Sequence, residues 1–210
     1  MTLTLAWASS AAMRYACKNW HYSHATPPPP SVAVGVWEDD RFCGVVVFSR
    51  GASPNIGRPF GLQQTEVVEL TRVALREHET PVSRIVSIAI KLVHRSSPRL
   101  RMLVSYADPE QGHHGGIYQA MNWTYLGTTP TTRWYIDKNG RRWHSRMVSP
   151  SGTRKVYGRT RSVVRQDECE VHVAPGKHRY ALALDPSLAP MLDERAQPYP
   201  RAAVPTEGIR

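Results

Sequence analysis

The stretch Leu103 to Gly127, LVSYADPEQGHHGGIYQAMNWTYLG, decides how this chain is read. Leu103 and Val104 form the apolar end of a buried strand, and Ser105, Tyr106 and Asp108 follow where an α/β sheet opens toward its ligand crevice. Pro109, Gly112, Gly115 and Gly116 punctuate a loop. Ile117 to Asn122 then has room for only a short helix before the next strand, Thr124 to Gly127. A carboxylate just past a strand can cap the turn or reach the crevice, so Asp108 is either a turn residue or a general base.

Upstream, residues 7 to 20 carry Ala, Met, Tyr and Lys at helical spacing and should form a short amphipathic helix. His21, Tyr22, Ser23 and His24 follow, and the stiff run Pro27 to Pro30 fixes where they point. Val32 to Trp37 and Phe42 to Ser49 read as a hairpin with an acidic tip at Glu38, Asp39 and Asp40. Arg50 to Gln64 is a long loop from which Arg50 could face an anion. Glu66 to Leu75 is a strand with Glu69 and Thr71 on one face and Arg72 on the other. Thr80 as N-cap and Pro81 at the first helical position start a helix running to about His94, with Ile85, Ile88, Ala89, Leu92 and Val93 buried. Ser83 lies in its first turn, where free N–H groups and the helix dipole favour an anion.

The 210 residues allow one sizeable α/β core with an appended arm. The formal charge is +10, from 27 Lys and Arg against 17 Asp and Glu, which points to a polyanionic partner. Between Arg133 and Arg165 there are ten cations and the single acid Asp137. Arg146, Arg154, Lys155, Arg159 and Arg161 are interleaved there with Trp143 and Tyr157, a mixture that neutralises phosphate and can stack on or wedge bases. Cys17, Cys43 and Cys169 are odd in number and never in CxxC spacing, which argues against a disulfide framework or zinc ribbon and fits a reducing cytoplasm. No apolar run approaches the roughly 20 residues of a membrane helix. Residues 1–185 are expected to form the folded domain, including the basic arm 133–165. Residues 186–210, with five prolines after Asp185, are expected to be a mobile tail.

The order helix, hairpin, strand, helix, strand, short helix, strand resembles the GNAT acyltransferase fold, a mixed central sheet flanked by helices. Tyr118-Gln-Ala-Met-Asn-Trp123 is similar to the motif carrying that family's tyrosine acid, which implies such a role for Tyr118. Leu75 to Arg84, LREHETPVSR, has no glycine where those enzymes carry a Gly-rich pyrophosphate loop. An acyl-coenzyme A-like donor therefore lacks its ordinary grip, and the donor stays open, as does a metal ion.

A closer resemblance is to the Mom-type DNA modification proteins of bacteriophages. It rests on His21-Tyr22-Ser23 ahead of prolines, ELTR at Glu69 to Arg72, PVSR at Pro81 to Arg84, YADPEQGHHGGIYQAMNW, and KHRY at Lys177 to Tyr180. The resemblance implies an enzyme of the infected host's cytoplasm that carbamoylmethylates adenine N6 in double-stranded DNA, shielding phage DNA from restriction. Its implied roles are Asp108 as base, His21 and Tyr22 in orientation or proton exchange, Arg72 on an anionic group and Ser83 on the donor. Two other readings are an N-acetyltransferase acting on a protein or small-molecule amine, and a DNA-binding module without chemistry. A homodimer is compatible with each.

Overall fold

The computed structural model describes residues 2–51 and 53–201. Strand β1 (Leu3–Trp7) precedes helix α1 (Ser10–Trp20), whose N-cap Ser9 accepts the Ala12 N–H and whose Met13, Ala16 and Cys17 are buried. β2 (Ser31–Glu38) and β3 (Arg41–Ser49) form the expected hairpin, turning through Asp39 and Asp40 at positive φ. β4 (Val67–Leu75), α2 (Val82–Ser96), β5 (Met102–Ala107), the single turn α3 (Gly116–Gln119) and β6 (Thr124–Thr128) follow. The helix, hairpin, strand, helix, strand, short helix, strand order of the GNAT fold is thus present. β1 is an addition ahead of it.

Next come β7 (Thr132–Asp137), β8 (Arg142–His144), β9 (Val148–Ser149), β10 (Thr153–Val156), β11 (Arg159–Ser162), β12 (Val164–Arg165), β13 (Cys169–Ala174), β14 (His178–Ala183) and α4 (Ala189–Glu194). The main sheet has the order β1-β2-β3-β4-β5-β14-β6. β4 and β5 are parallel and every other neighbouring pair is antiparallel. β14 returns from far along the chain and slots between β5 and β6, a non-local pairing that leaves no local mark in sequence. α2 packs Ile85, Val86, Ala89, Ile90 and Val93 onto Val34, Val46, Phe48, Leu70 and Leu103. Val86 and Ile90 take the full burial expected of Ile88 and Leu92, so the helix is turned about one residue from the expected stripe.

Three expectations are corrected. Thr80 does not cap α2: Pro81 holds the cap position, and the Thr80 backbone N–H donates to the Glu38 carboxylate. Glu69 and Thr71 do not simply oppose Arg72, because the β3–β4 register slips between Val47 and Phe48 and leaves Thr71 without an opposite partner. Residues 186–201 are not a loose tail. Leu188 and Leu192 are buried, the Gln197 N–H donates to Tyr125 O, and Tyr199 Oη donates to Trp123 O. Residues 202–210 lie outside the described residues. The arm 133–165 is built of strands: β7 joins β13 and β8 in a three-stranded sheet, β9 pairs β12, and β10–β11 form a separate hairpin.

Candidate active site

β4 and β5 pair over four rungs, from Val67–Met102 to Leu70–Ser105, and then part while both strands run on. At their diverging carboxyl ends a cavity of about 580 Å³ opens. This is where the ligand crevice of an α/β sheet is expected. Its walls come from the end of α1 (Trp20 to Tyr22), from Thr71, Arg72 and Val73 of β4, from Tyr106 and Ala107 of β5, and from the loop and turn Gly112 to Tyr118. In a regular strand, neighbouring residues face opposite ways. The bulge at Thr71 is what lets three successive β4 residues line one wall.

Beneath the cavity runs a chain of hydroxyls. Ser105 Oγ lies 2.7 Å from both Leu70 O and Tyr118 Oη. The carbonyl can only accept, so it takes the Ser105 proton and Tyr118 donates to Ser105. Burial pushes the Tyr118 hydroxyl up to about 12. Tyr118 therefore stays protonated, with its proton held by Ser105 and its side chain in the cavity lining. Gly115, at φ +89°, turns the loop against Tyr180, and a Cβ there would sit 2.3 Å from the Tyr180 ring.

His21 is 8% exposed and receives the Ser23 backbone N–H on Nδ1 at 3.1 Å, with Ser23 Oγ 2.8 Å from the same nitrogen. Nδ1 is thereby an acceptor, which leaves the neutral ring's proton on Nε2. Burial, aided by the nearby Arg72 cation, pushes the imidazole pKa down to about 4. Tyr22 stacks on His21 at 4.2 Å between ring centroids and meets His113 edge-on at 5.2 Å. Arg72 is anchored by Nη1 to Thr71 O at 2.7 Å.

Asp108 stands beside the cavity rather than in its lining. Its carboxylate caps the following turn by accepting the Glu110 N–H, and it pairs with Lys177 Nζ at 2.9 Å. Its carbonyl accepts the N–H groups of Gln111 and His113 and so fixes the loop that carries the histidines. Ser83 is half-buried in the first turn of α2 and its side chain is not in the lining, whereas Val82 is. Arg50 lines a different cavity of about 570 Å³ at the amino ends of β4 and β5. Sequence reasoning singled out His21, Tyr22, Arg72 and Tyr118, which do converge, and placed Ser105 and Tyr106 at the crevice without giving them a role, but it passed over His113 and His114. Two successive histidines in a glycine-flanked loop just past a strand were the available signal. No carboxylate lines the cavity, and no cluster of three metal-ligating side chains occurs among the described residues.

The loop between β4 and α2 tests the fit of a coenzyme A donor. Its Glu79 and Thr80 N–H groups both donate, at 2.8 Å each, to the carboxylate of Glu38, which is 3% exposed. The protein's own anion fills the backbone cradle where a donor pyrophosphate would lie, so the residues present do not fit that group.

Of the arm candidates, Trp143 is committed within the protein: its indole N–H donates to Asp137 Oδ2 at 2.9 Å and Arg141 stacks on it. Arg146, Arg154, Lys155, Arg159 and Arg161 are exposed, and Tyr157 is 98% exposed. Glu110 ties the arm to the cavity loop by accepting from His172 Nε2 at 2.6 Å and Arg142 Nη2 at 3.3 Å.

A mixed sheet whose one parallel pair splays beside a tyrosine-lined cavity has the order of elements expected of the GNAT fold. Within that class, residues 2–201 match the model of the Mom protein family, and the chain belongs to it. It is 27% identical over 191 residues to the methylcarbamoylase mom of Escherichia phage Mu, covering 86% of this chain and 76% of that protein. Similar solved structures include FeeM, an N-acyl amino acid synthase from uncultured soil microbes (13% identity, 93% and 94% of the two chains, TM-score 0.49). Another is the Campylobacter jejuni N-acetyltransferase PseH (11% identity, 88% and 100%, TM-score 0.42). Among the described residues, no helix is long and apolar enough to cross a membrane.

Proposed function

We propose that this protein carbamoylmethylates N6 of adenine in double-stranded DNA and so protects phage DNA from restriction. The observation that carries this reading is the cavity at the β4–β5 splay, which joins a protonated tyrosine, three histidines and an arginine without a carboxylate. It is supported by membership of the Mom family and by the ten cations of the arm. Adenine N6 is a poor nucleophile because its lone pair is delocalised, so the site has to orient it and accept its proton as the new bond forms.

In this reading the extruded adenine stacks on Tyr22, and its amino group donates one N–H to the hydroxyl oxygen of Tyr118. The N6 lone pair attacks the methylene carbon of an activated carbamoylmethyl donor, the N–C bond forms, and the leaving group departs with its electron pair. His113 takes the second N6 proton. His21 carries its proton on Nε2 and serves as a donor, with Arg72 beside it to hold negative charge on the donor. Asp108 positions His113 through the loop. Ser83 assists only through the first turn of α2. The filled backbone cradle argues for a donor without a pyrophosphate.

Mass analysis of nucleosides from cells expressing the protein tests the proposal. Deoxyadenosine carrying a carbamoylmethyl group is the expected product. An acetylated protein or metabolite amine with unmodified DNA would favour the N-acetyltransferase reading instead.

A further inference from the structure

The hairpin β10–β11 is hard to explain as part of the fold. Its register pairs Arg154 with Arg161, Lys155 with Thr160 and Val156 with Arg159. By strand alternation Arg154, Val156, Arg159 and Arg161 share one face, and Lys155, Thr153, Thr160 and Ser162 share the other. Two arginines directly opposite repel each other. None of the hairpin's four cations forms an ion pair with a carboxylate among the described residues; the Arg154 guanidinium donates only to Arg146 O. Such a ribbon lacks an anion that the protein does not supply.

The tip is odder still. Tyr157 and Gly158 make the two-residue turn at φ +49° and +75°. Glycine and asparagine suit such positions, whereas a bulky ring there is strained. Tyr157 is 98% exposed and makes no ring contact among the described residues. A ring held in an unfavourable conformation and packed against nothing serves neither folding nor solubility. Strain of this kind is a pointer to a ligand contact.

We propose that the β10–β11 ribbon enters a groove of duplex DNA and that Tyr157 wedges into the base stack, filling the gap left by the extruded adenine. A two-stranded ribbon fits the major groove, and its arginines would neutralise the phosphates on either side. This inference rests on the DNA-modification reading and adds to it the element that opens the duplex. Extrusion costs unstacking, least where the base is already mispaired. The wedge should therefore matter most for a fully paired adenine.

The test uses the full chain and duplexes carrying 2-aminopurine in place of adenine, either paired with thymine or mispaired, at saturating protein. Wild type and Tyr157→Phe should brighten both probes. Tyr157→Asn suits the turn and keeps the hairpin, and it should brighten the paired probe roughly tenfold less, as expected for loss of one stacking ring, while approaching wild type on the mispaired probe. Arg154→Ala with Arg161→Ala should flatten the salt dependence of duplex binding by a slope of about 2. Full brightening of the paired probe by Tyr157→Asn overturns the wedge while leaving DNA modification standing. Failure of the wild-type protein to bind any duplex overturns both.

Discussion

The cavity and the β10–β11 hairpin solve opposite problems with similar residue types. Around the cavity, several polar side chains are tied to backbone: Ser105 to Leu70 O, His21 to the Ser23 N–H, Arg72 to Thr71 O. On the hairpin, guanidiniums face one another with only Arg154 so tied, and the tyrosine stands in solvent. Polar groups that must hold a geometry are built into the fold's own hydrogen-bond network. Polar groups that await a polyanion are left unsatisfied by the protein. The contrast predicts that substitutions at the cavity trade stability with chemistry and that those on the hairpin do not.

The largest loss of stability is expected for Glu38→Ala, which strands the inward N–H groups of Glu79 and Thr80. Thermal unfolding should show a fall in Tm larger than for any other variant named here. If Glu38→Ala instead keeps its Tm and the wild-type protein binds acetyl-coenzyme A tightly, the cradle is an open donor site and the account of the donor is wrong.

Next is the acid limb of stability. His21 titrates near 6.5 when unfolded and is pushed down to about 4 by burial in the folded chain. As pH falls through this window the unfolded state binds the proton first, so stability present above about pH 6.5 is lost progressively and is gone below about pH 4. With screening by the open cavity the loss is no more than about 2 kcal/mol. In chemical denaturation at stepped pH, His21→Gln should flatten this slope; an unchanged slope would mean that another group sets it.

Asp108→Asn should cost about 1 kcal/mol, because the cap to the Glu110 N–H survives and only the exchange with Lys177 is lost. A positioning role predicts reduced modification, and complete loss at unchanged Tm would restore Asp108 as the base. The smallest effect is expected from removing the four hairpin cations Arg154, Lys155, Arg159 and Arg161 together. Tm should stay level or rise, since the replaced charges repel one another, while the salt slope of DNA binding drops by about 3 to 4. A clear fall in Tm would place the hairpin in the core and erase the contrast.

The hairpin β2–β3, β4, α2, β5 and the motif loop were legible because each has its own periodicity or turn chemistry. The strand at β14 was legible as well, but its place between β5 and β6 and the packing of residues 186–201 were not, since both depend on partners distant in sequence. At the site, His21 and Tyr22 could be picked out as a polar cluster ahead of the proline run, whereas Arg72 and Tyr118 came from the motifs that carry the family resemblance. What separates His113 from Asp108 is a bond direction: the Asp108 carbonyl holds His113 in place while its carboxylate turns to Lys177. A one-dimensional pattern shows both residues beside the same glycines and cannot show which one turns inward. The Thr71 bulge was hidden for the same reason, because it exists only against β3.

The central claim is that chemistry takes place in the β4–β5 cavity, and Tyr118→Phe tests it most directly. The substitution removes one oxygen, keeps the ring packed on Trp123 and Tyr180, and leaves Ser105 bonded to Leu70 O. Nucleosides from cells expressing this variant at wild-type level and Tm are predicted to contain modified deoxyadenosine at about a hundredth of the wild-type fraction or less, as for a lost contact to the reacting group. Modified deoxyadenosine at the wild-type fraction would contradict the account and move the reaction away from this cavity.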